Sequence, residues 1–289
     1  MDILRQLFPT MAAFAGWVPG VDTNSTLDDL RAAALTAQKQ IEGILSAQVL
    51  KAVIEAQDEA LLTPLRTAVA NRTMAGNAVF AAYQQRKAGT DVYKYEVDRM
   101  RRSYMENYYA AMDSLLEVVT HLTEEDPIGQ LWQQSRYAHL LEGCRITSPQ
   151  DFDLTYNIDA SCLFFFRTLP IQKEVVDTCL GTYYDKAADN SRVLSMLNLC
   201  LCKKVVATAL RRFDILECPA TVRNLFDESK VGGQRKDERL QADLLADRLD
   251  NEADCLIDTI ETLLSTDNTL DVSSTSAFNQ PDDNIIMMP

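Results

Sequence analysis

The stretch VDRMRRSYMENYYAAMDSLLEVV, residues 97–119, decides the fold class of this chain. Its large apolar side chains recur every three to four residues, which places them along one face of an α-helix. This stripe consists of Val97, Met100, Tyr104, Tyr108, Met112, Leu115 and Val119. The spacing predicts a long amphipathic helix here. Because neighbouring segments share it, we expect a mainly α-helical protein.

The same helical spacing continues on both sides of this stretch. Further helical segments are predicted at about 26–54, 62–83, 128–142, 163–180, 192–212 and 245–263. Thr26, Asp126 and Asn190 each stand at the beginning of such a segment, and all three are typical helix-start residues. The chain is therefore expected to consist of helices joined by short connections.

Breaks in the helical spacing divide the chain into two halves. Pro9, Pro19 and Gly20 interrupt any helix near the N-terminus, and residues 143–160 (GCRITSPQDFDLTYNIDA) break the spacing again. The last residues are rich in Ser, Thr, Asp and Asn. The predicted organisation is an irregular N-terminal segment (1–25), a first helical half (26–142), a linker (143–160), a second helical half (161–265) and a flexible tail (266–289).

The two halves resemble each other, which predicts an internal duplication. A stripe in the first half matches one in the second at a constant offset of 132 residues: Leu62 with Leu194, Leu65 with Leu197, Val69 with Leu201, Thr73 with Val205, and Gly76 with Thr208. Residues 37–41 also match 171–175, and residues 113–115 match 258–260, in the same order. The period is too long for a solenoid. The alternative is that any two amphipathic helices share such stripes.

Composition and charge narrow the function classes. Apolar residues make up 47% of the 289, so most of the chain is expected to fold. The net charge of −14 argues against sequence-specific or wrapping contact with nucleic acid, which needs clustered Lys and Arg. The short basic clusters at 99–102, 203–204 and 211–212 are predicted to be solvated helix faces. The acidity keeps copies soluble and could line a passage that must not adhere to DNA.

The sequence predicts neither export nor membrane insertion. No apolar run approaches the roughly 18 residues that a bilayer-spanning helix needs. The start, MDILRQLFPTMAAFAGW, has an early acid and one basic residue before its apolar stretch, unlike a signal peptide. Seven cysteines, an odd number, lie mostly in apolar segments and indicate buried free thiols in a reducing compartment. We expect a soluble protein made in the cytoplasm, with no membrane partner.

No sequence motif indicates catalysis, a cofactor or a metal. The chain has only two histidines, His121 and His139, and no second ligand pair at zinc spacing. It has no G-x-S-x-G, no G-x-G-x-x-G and no P-loop. His121 is predicted to interact with carbonyls at the end of its helix. No catalytic, cofactor-binding or metal-ligating residue is predicted, although active sites also assemble from distant residues and an enzyme stays a third alternative.

Two aromatic groups and the end of the chain supply the candidate protein-interface residues. The three phenylalanines at 164–166 cover nearly a whole helical turn, so their rings are not expected to face one core. Tyrosines at 93, 95, 104, 108 and 109 concentrate around one helix, and tyrosine suits half-buried interfaces. Core packing and a frayed terminus are the alternatives. The predicted interface residues are Tyr104, Tyr108, Phe164, Phe165, Phe166, Ile285, Ile286 and Met287.

Several short motifs resemble a known family. Residues 131–137 (LWQQSRY), 151–153 (DFD), 158–161 (IDAS) and 169–171 (LPI), with Phe165, resemble a family of unassigned function. That family is encoded in prophages and phages of gut Bacteroidales, near head and portal genes, and the resemblance covers most of the chain. The N-terminal half, where LDDL at 27–30 opens a helical segment, is also similar to tailed-phage head–tail connectors (adaptors).

Head–tail connectors are small helical proteins that form rings under the portal, and the family has no catalytic residues to transfer. The resemblance therefore implies a non-enzymatic virion protein that assembles with itself and with portal or neighbouring neck proteins. Connectors are much shorter than this chain, which leaves the ring stoichiometry open. The alternative from a different class is a cytosolic helical scaffold or regulatory module of the host bacterium that binds one protein partner.

Overall fold

The computed structural model describes residues 2–21, 25–87, 93–187, 190–224 and 235–269. Within these ranges the chain is mainly α-helical and contains no β-strand, which confirms the predicted fold class. The helices before the predicted linker are α1 (Ile3–Leu7), α2 (Met11–Ala15), α3 (Arg31–Leu45), α4 (Ala47–Ala56), α5 (Glu59–Lys87), α6 (Lys94–His121), α7 (Pro127–Gln133) and α8 (Arg136–Leu141).

The remaining helices begin inside the predicted linker and continue through the second half. They are α9 (Pro149–Thr155), α10 (Cys162–Val175), α11 (Gly181–Lys186), α12 (Ser191–Arg212), α13 (Ala220–Asn224) and α14 (Arg235–Thr269). A π-helical turn, Val176–Leu180, joins α10 to α11, and a 3-10 helix, Ile215–Glu217, follows α12. Helix α14 runs four residues beyond the expected start of the tail, and residues 270–289, with Ile285, Ile286 and Met287, lie outside the described residues.

Side-chain caps explain where several helices begin. The Asp126 carboxylate accepts a hydrogen bond from the backbone N–H of Ile128 at 2.7 Å, and the Asn190 amide oxygen accepts one from Val193 at 3.2 Å. These two predicted helix starts are confirmed. Near Thr26 the helix begins later than predicted, at α3, because a turn at residues 27–30 precedes it.

The N-terminal segment differs from the irregular chain that its prolines suggested. Pro9 separates α1 from α2, and each five-residue helix fits into the space between breaking residues. Leu4, Phe8 and Phe14 are fully buried, and the two phenylalanine rings meet edge to face with centroids 5.1 Å apart. The segment is therefore part of the core.

Residues 143–160 are more than a connection between two halves. They contain α9, and Ile146, Phe152 and Ile158 are buried in the same hydrophobic cluster as the helices on either side. This cluster extends without interruption from Ile3 in α1 to Ile260 in α14. The two halves thus share one core, since neither buries its apolar faces by itself.

Helix α10 lies at the centre of that core. It packs against α6, α8, α9 and α12, so its first three turns meet protein on several sides. Phe164, Phe165 and Phe166 consequently point in different directions and are all buried. Their ring partners are Phe213 at 6.4 Å from Phe164, Phe152 at 6.3 Å from Phe165, and Trp132 at 5.2 Å from Phe166, measured between centroids.

The two halves contain similar groups of three helices in the same order. In the first half α5 packs against both α3 and α6, and in the second half α12 packs against both α10 and α14. The middle stripes are buried in both, with Leu65 and Val69 matching Leu197 and Leu201. The intervening elements differ, because α4 follows α3 whereas a π-helical turn and α11 follow α10. The internal duplication stays a prediction.

Helix α12 is long and apolar enough to cross a membrane by length and composition alone, contrary to the expectation from the sequence. In the folded chain it packs between α10 and α14. Cys200, Leu201, Cys202, Val205 and Val206 on this helix are completely buried. Core helices with neighbours on several sides are commonly this apolar.

Candidate interaction surface

The five predicted interface residues that the structure describes all lie inside the core. Tyr104 is 6% exposed and its hydroxyl donates to the Pro19 carbonyl oxygen at 2.9 Å. Tyr108 is 2% exposed, and burial raises its pKa to about 12. The phenylalanines at 164–166 surround the central helix. A helix with neighbours on several sides can bury rings that point in different directions, so these five side chains are buried in the folded chain. Their contact with a partner stays a prediction.

The exposed large apolar side chains concentrate instead where α5 ends and α6 begins. We call the end of this helix pair, residues 79–87 and 93–101, the hairpin tip. Its exposed apolar residues, with their exposed fractions, are Val79 (58%), Phe80 (67%), Tyr83 (69%), Tyr93 (58%), Tyr95 (63%) and Met100 (41%). Exposed apolar residues scattered singly are ordinary, whereas a group on one feature marks an interaction surface.

The hairpin tip extends beyond the main core and has a small core of its own. Ala78, Ala82 and Val97 form a separate buried cluster, which holds the ends of the two helices together. The rings of Tyr93 and Tyr95 stack with centroids 5.7 Å apart. These contacts order the outward-facing rings, so little further ordering is required when a partner binds.

The hairpin tip is basic although the chain is strongly acidic. Residues 79–101 contain five Lys or Arg and three Asp or Glu, against a net charge of −14 for the whole chain. Lys87, Lys94, Arg99 and Arg101 are all exposed. The tip therefore combines aromatic rings with positive charge, a composition that favours an acidic surface with an apolar floor.

A second helix pair, α12 with α14, carries the opposite surface charge. Three residues of the basic clusters on α12 that were expected to be solvated form ion pairs with α14, and we call these pairs the ionic ladder. Its pairs are Lys203 with Glu252, Lys204 with Asp254 at 2.8 Å, and Arg211 with Asp247 at 2.7 Å and Asp250 at 2.6 Å. The α14 partners fall from residues 252 and 254, for Lys203 and Lys204, to residues 247 and 250, for Arg211, so the two helices are antiparallel.

The carboxylates are the exposed partners in most of this ladder. The side chains of Lys203 and Lys204 are 16% and 14% exposed, whereas those of Asp247 and Asp254 are 66% and 64% exposed. Hydrogen bonds from Lys203 and Arg248 lower the pKa of Glu252. The lysines are thus withdrawn between the helices, and the outer surface of the pair presents negative charge.

An open groove of about 700 Å³ runs along this acidic surface. Leu199 of α12 and Leu244 and Leu256 of α14 provide apolar contact area. The charged lining is balanced, with Asp247 and Glu252 beside Lys203 and Arg248. Leu244 is 53% exposed. We call this feature the α14 groove. Its apolar floor suits the exposed rings of the hairpin tip, and Asp247, whose side chain is 66% exposed, offers a carboxylate at its edge.

The base of the hairpin tip and the α14 groove are separated along α14. Arg102, at the base of the tip, forms an ion pair with Glu238 near the start of α14 at 2.7 Å. The middle of the groove, near Asn251, lies about 20 Å further along α14 at a rise of 1.5 Å per residue. The base of the tip and the middle of the groove are therefore distinct parts of the surface.

The reactive side chains behave as structural groups in the fold. The seven cysteines are free, and burial raises the pKa of Cys162 and Cys218 to about 12 and of Cys200 to about 11. These thiols stay protonated and act as small hydrophobes. The His121 Nδ1 atom lies 2.6 Å from the Glu117 carbonyl oxygen, which confirms its predicted role at the helix end. Within the described ranges, no group of three or more His, Cys, Asp or Glu could hold a metal ion.

Comparison with known proteins identifies no relative of this chain. No protein-family model, no curated protein and no solved structure matches the chain.

One sequence pattern indicates the hairpin tip, but the continued helical spacing of α5 makes it hard to recognise. Phe80 and Tyr83 continue the apolar spacing of α5 past the point where the core ends, so spacing alone assigns them to the core. The useful signal was the alternation of aromatic and basic residues at Tyr93, Lys94 and Tyr95. Core faces seldom place a lysine between two rings.

Proposed function

We propose that this chain is a non-enzymatic structural protein that assembles with copies of itself, as a neck or connector component of a tailed-phage virion. The observation that carries the proposal is the basic and aromatic hairpin tip, whose exposed rings suit the apolar floor of the α14 groove. The resemblance to connectors supports the phage setting. Portal or neighbouring neck proteins are the further partners that this setting implies, with the protein made in the host cytoplasm.

The proposed contact joins two different surfaces, the hairpin tip of one copy and the α14 groove of the next. Such a head-to-tail contact produces a closed ring when the rotation between copies closes, and an open filament when it does not. The exposed rings of Phe80 and Tyr83 would lie against Leu244 and Leu256, and Lys94 and Arg99 would approach the exposed carboxylates. Closed rings of subunits are the assemblies that connectors form.

The assembly state of the full-length chain tests this proposal. Negative-stain images and native mass spectrometry are expected to show closed rings of one stoichiometry, alone or with portal protein. The double variant Phe80→Ser, Tyr83→Ser should be monomeric, because it removes the two most exposed rings of the tip. Leu154→Ser is the matched control, since Leu154 is 87% exposed on α9, away from both surfaces.

A mixing experiment distinguishes the head-to-tail contact from a symmetric one. A copy with a defective tip still offers its groove, and a Leu244→Arg copy still offers its tip. Equimolar mixing should therefore give a one-to-one dimer and nothing larger, whereas a symmetric tip-to-tip contact would give no such rescue. A wild-type chain that is monomeric at micromolar concentration and does not bind portal would favour the scaffold alternative.

A further inference from the structure

A polar cleft lies where the two halves meet, away from the α14 groove. It consists of two adjoining cavities of about 590 and 530 Å³, which share Gln40, Tyr109 and Phe213 as common lining residues. Helices α3, α5 and α6 of the first half face α10, α12 and the 3-10 helix of the second half across it. We call this feature the arginine cleft. Each cavity falls within the range of about 300–1,000 Å³ typical of small-molecule sites.

Arginines from both halves line the cleft. The larger cavity contains Arg72, Arg101, Arg102 and Arg239. The Nε atom of Arg72 donates to the Gln40 side-chain oxygen at 2.5 Å. Among the described residues, neither Arg72 nor Arg101 has a carboxylate partner, so their charges are not neutralised within the fold.

The smaller cavity adds three more arginines, Arg136, Arg167 and Arg212. Arg167 is held by Glu217 at 2.5 Å and Arg212 by Glu174 at 2.6 Å. Arg136 is exposed and its guanidinium lies over the ring of Tyr137, 5.7 Å from the centroid. Arg136 has no carboxylate partner in the described part of the chain. We call the three arginines without such a partner, Arg72, Arg101 and Arg136, the uncommitted arginines of the cleft.

The acidic residues of the cleft do not balance these charges. Asp98, Asp214 and Glu238 line the larger cavity and Glu217 lines the smaller one, against seven arginines in total. The lining is therefore net positive in a chain whose net charge is −14. Because an acidic protein repels anions at long range, a positive, concave site is where an anion would bind.

Aromatic rings complete the chemistry of the cleft. Tyr109 and Phe213 are half-buried and line both cavities. Burial raises the pKa of Tyr109, so its hydroxyl keeps its proton and is able to donate a hydrogen bond. Arg72 and Arg167 both act electrostatically on Tyr108, which places arginines of the two cavities near one ring. Planar rings beside guanidinium groups suit a ligand that has both a flat ring and an anionic group.

We propose that the arginine cleft binds a nucleotide, with the phosphate held by Arg72, Arg101 and Arg136 and the base stacked beside Tyr109 and Phe213. Guanidinium groups match phosphate oxygens in geometry and stay charged at all physiological pH values. An aromatic face contributes to binding any base, because every base has a π-face. Recognition would come from side chains and not from a glycine-rich loop, which explains why no nucleotide-binding motif is present in the sequence.

Isothermal titration of the full-length protein with small probes tests the site. Adenosine monophosphate is expected to bind with one-to-one stoichiometry. Adenosine and inorganic phosphate, each carrying half of the recognised chemistry, should bind at least about tenfold more weakly, since each lost charge-assisted contact costs on the order of tenfold. Equal affinity for adenosine monophosphate and inorganic phosphate would overturn the role of the rings.

Variants of uncommitted arginines identify the site. Arg72→Gln and Arg136→Gln should each raise the dissociation constant at least about tenfold while leaving helicity and melting temperature unchanged. Arg31→Gln is the matched control, because Arg31 is exposed at the start of α3 and does not line the cleft. If all three variants bind alike, the nucleotide is bound elsewhere and the proposal fails.

A 5′-phosphorylated oligothymidine and its unphosphorylated counterpart distinguish two sources of the ligand. A free nucleotide site binds adenosine monophosphate at least as well as either oligonucleotide. If the phosphorylated strand binds more than about tenfold better than its counterpart, with the same Arg72 and Arg136 dependence, the strand end is the source. Binding of both strands without binding of adenosine monophosphate would overturn the proposal.

Discussion

The two long helix pairs of this protein, α12–α14 and α5–α6, are held together by different kinds of contact. In α12–α14 the ionic ladder follows the C-terminal part of α12, from Lys203 to Arg211, and many side chains of α12 are buried in the core. In α5–α6 the pair is held by apolar side chains and by the Asn107–Asn71 amide contact at 3.2 Å. The far end of α5–α6 leaves the main core and exposes its rings.

This difference distinguishes the part of the chain that stabilises the fold from the part that is available to bind a partner. Side chains of α12 are surrounded, so changing them alters folding. The rings of the hairpin tip contribute little to the fold, because they bury little area within the chain. A surface that is exposed, ordered and apolar without contributing much to folding is available for contact with a partner.

The largest expected effect contrasts a core ring with a tip ring. Phe165→Ala should lower the free energy of unfolding by about 3–5 kcal/mol, since a fully buried ring leaves a cavity around α10. Phe80→Ala should change it by less than about 0.5 kcal/mol, because Phe80 is 67% exposed. Urea unfolding followed by circular dichroism measures both.

Comparable losses for the two variants would contradict this contrast. They would mean that the hairpin tip folds together with the core, and that its exposure in the isolated chain does not mark a free surface. The slope of the urea transition provides a control, because it should be the same in both variants if only stability has changed.

A smaller effect is expected where α6 contacts the start of the central helix α10. The Asp113 carboxylate of α6 caps α10, accepting hydrogen bonds from Ser161 Oγ at 2.9 Å and from the Leu163 N–H at 2.7 Å. Asp113→Ala should cost about 1–2 kcal/mol, the usual range for a lost cap. Asp258, its counterpart under the predicted duplication, is exposed on α14, and Asp258→Ala should cost less than about 0.5 kcal/mol. Equal costs in thermal unfolding would favour equivalent roles for the two positions.

Much of the architecture could be predicted from the sequence, because helical spacing and caps are local signals. The stripe at 97–119, the helix starts at Asp126 and Asn190, and the role of His121 followed from residues a few positions apart. The burial of Phe164–Phe166 could not be predicted, since it depends on which distant helices surround α10. The ionic ladder could not be predicted for the same reason, because Lys203 and Glu252 are 49 residues apart in the sequence.

The candidate surfaces were only partly visible in the sequence. The tyrosines were recognised as a group, but their spacing does not show that the core ends between Tyr104 and Tyr95. The arginine cleft was not predicted at all, since Arg72, Arg101 and Arg136 come from three helices whose approach is set by tertiary packing. Basic residues dispersed along an acidic chain give no local pattern.

The smallest expected effect is the pH dependence of the ionic ladder. Hydrogen bonds from Lys203 and Arg248 lower the pKa of Glu252 in the folded chain. A carboxyl group with a lowered folded pKa contributes stability above its unfolded pKa, about 4.3 for glutamate. That stability is lost as the pH falls through the folded value. The melting temperature should therefore decrease between about pH 5 and pH 3, and Glu252→Gln should make this decrease shallower. Glu125→Gln is the control, because Glu125 is exposed and has no ion-pair partner among the described residues. A wild-type slope in Glu252→Gln would show that the ladder does not couple protonation to folding, and the contrast between the two helix pairs would then rest on apolar packing alone.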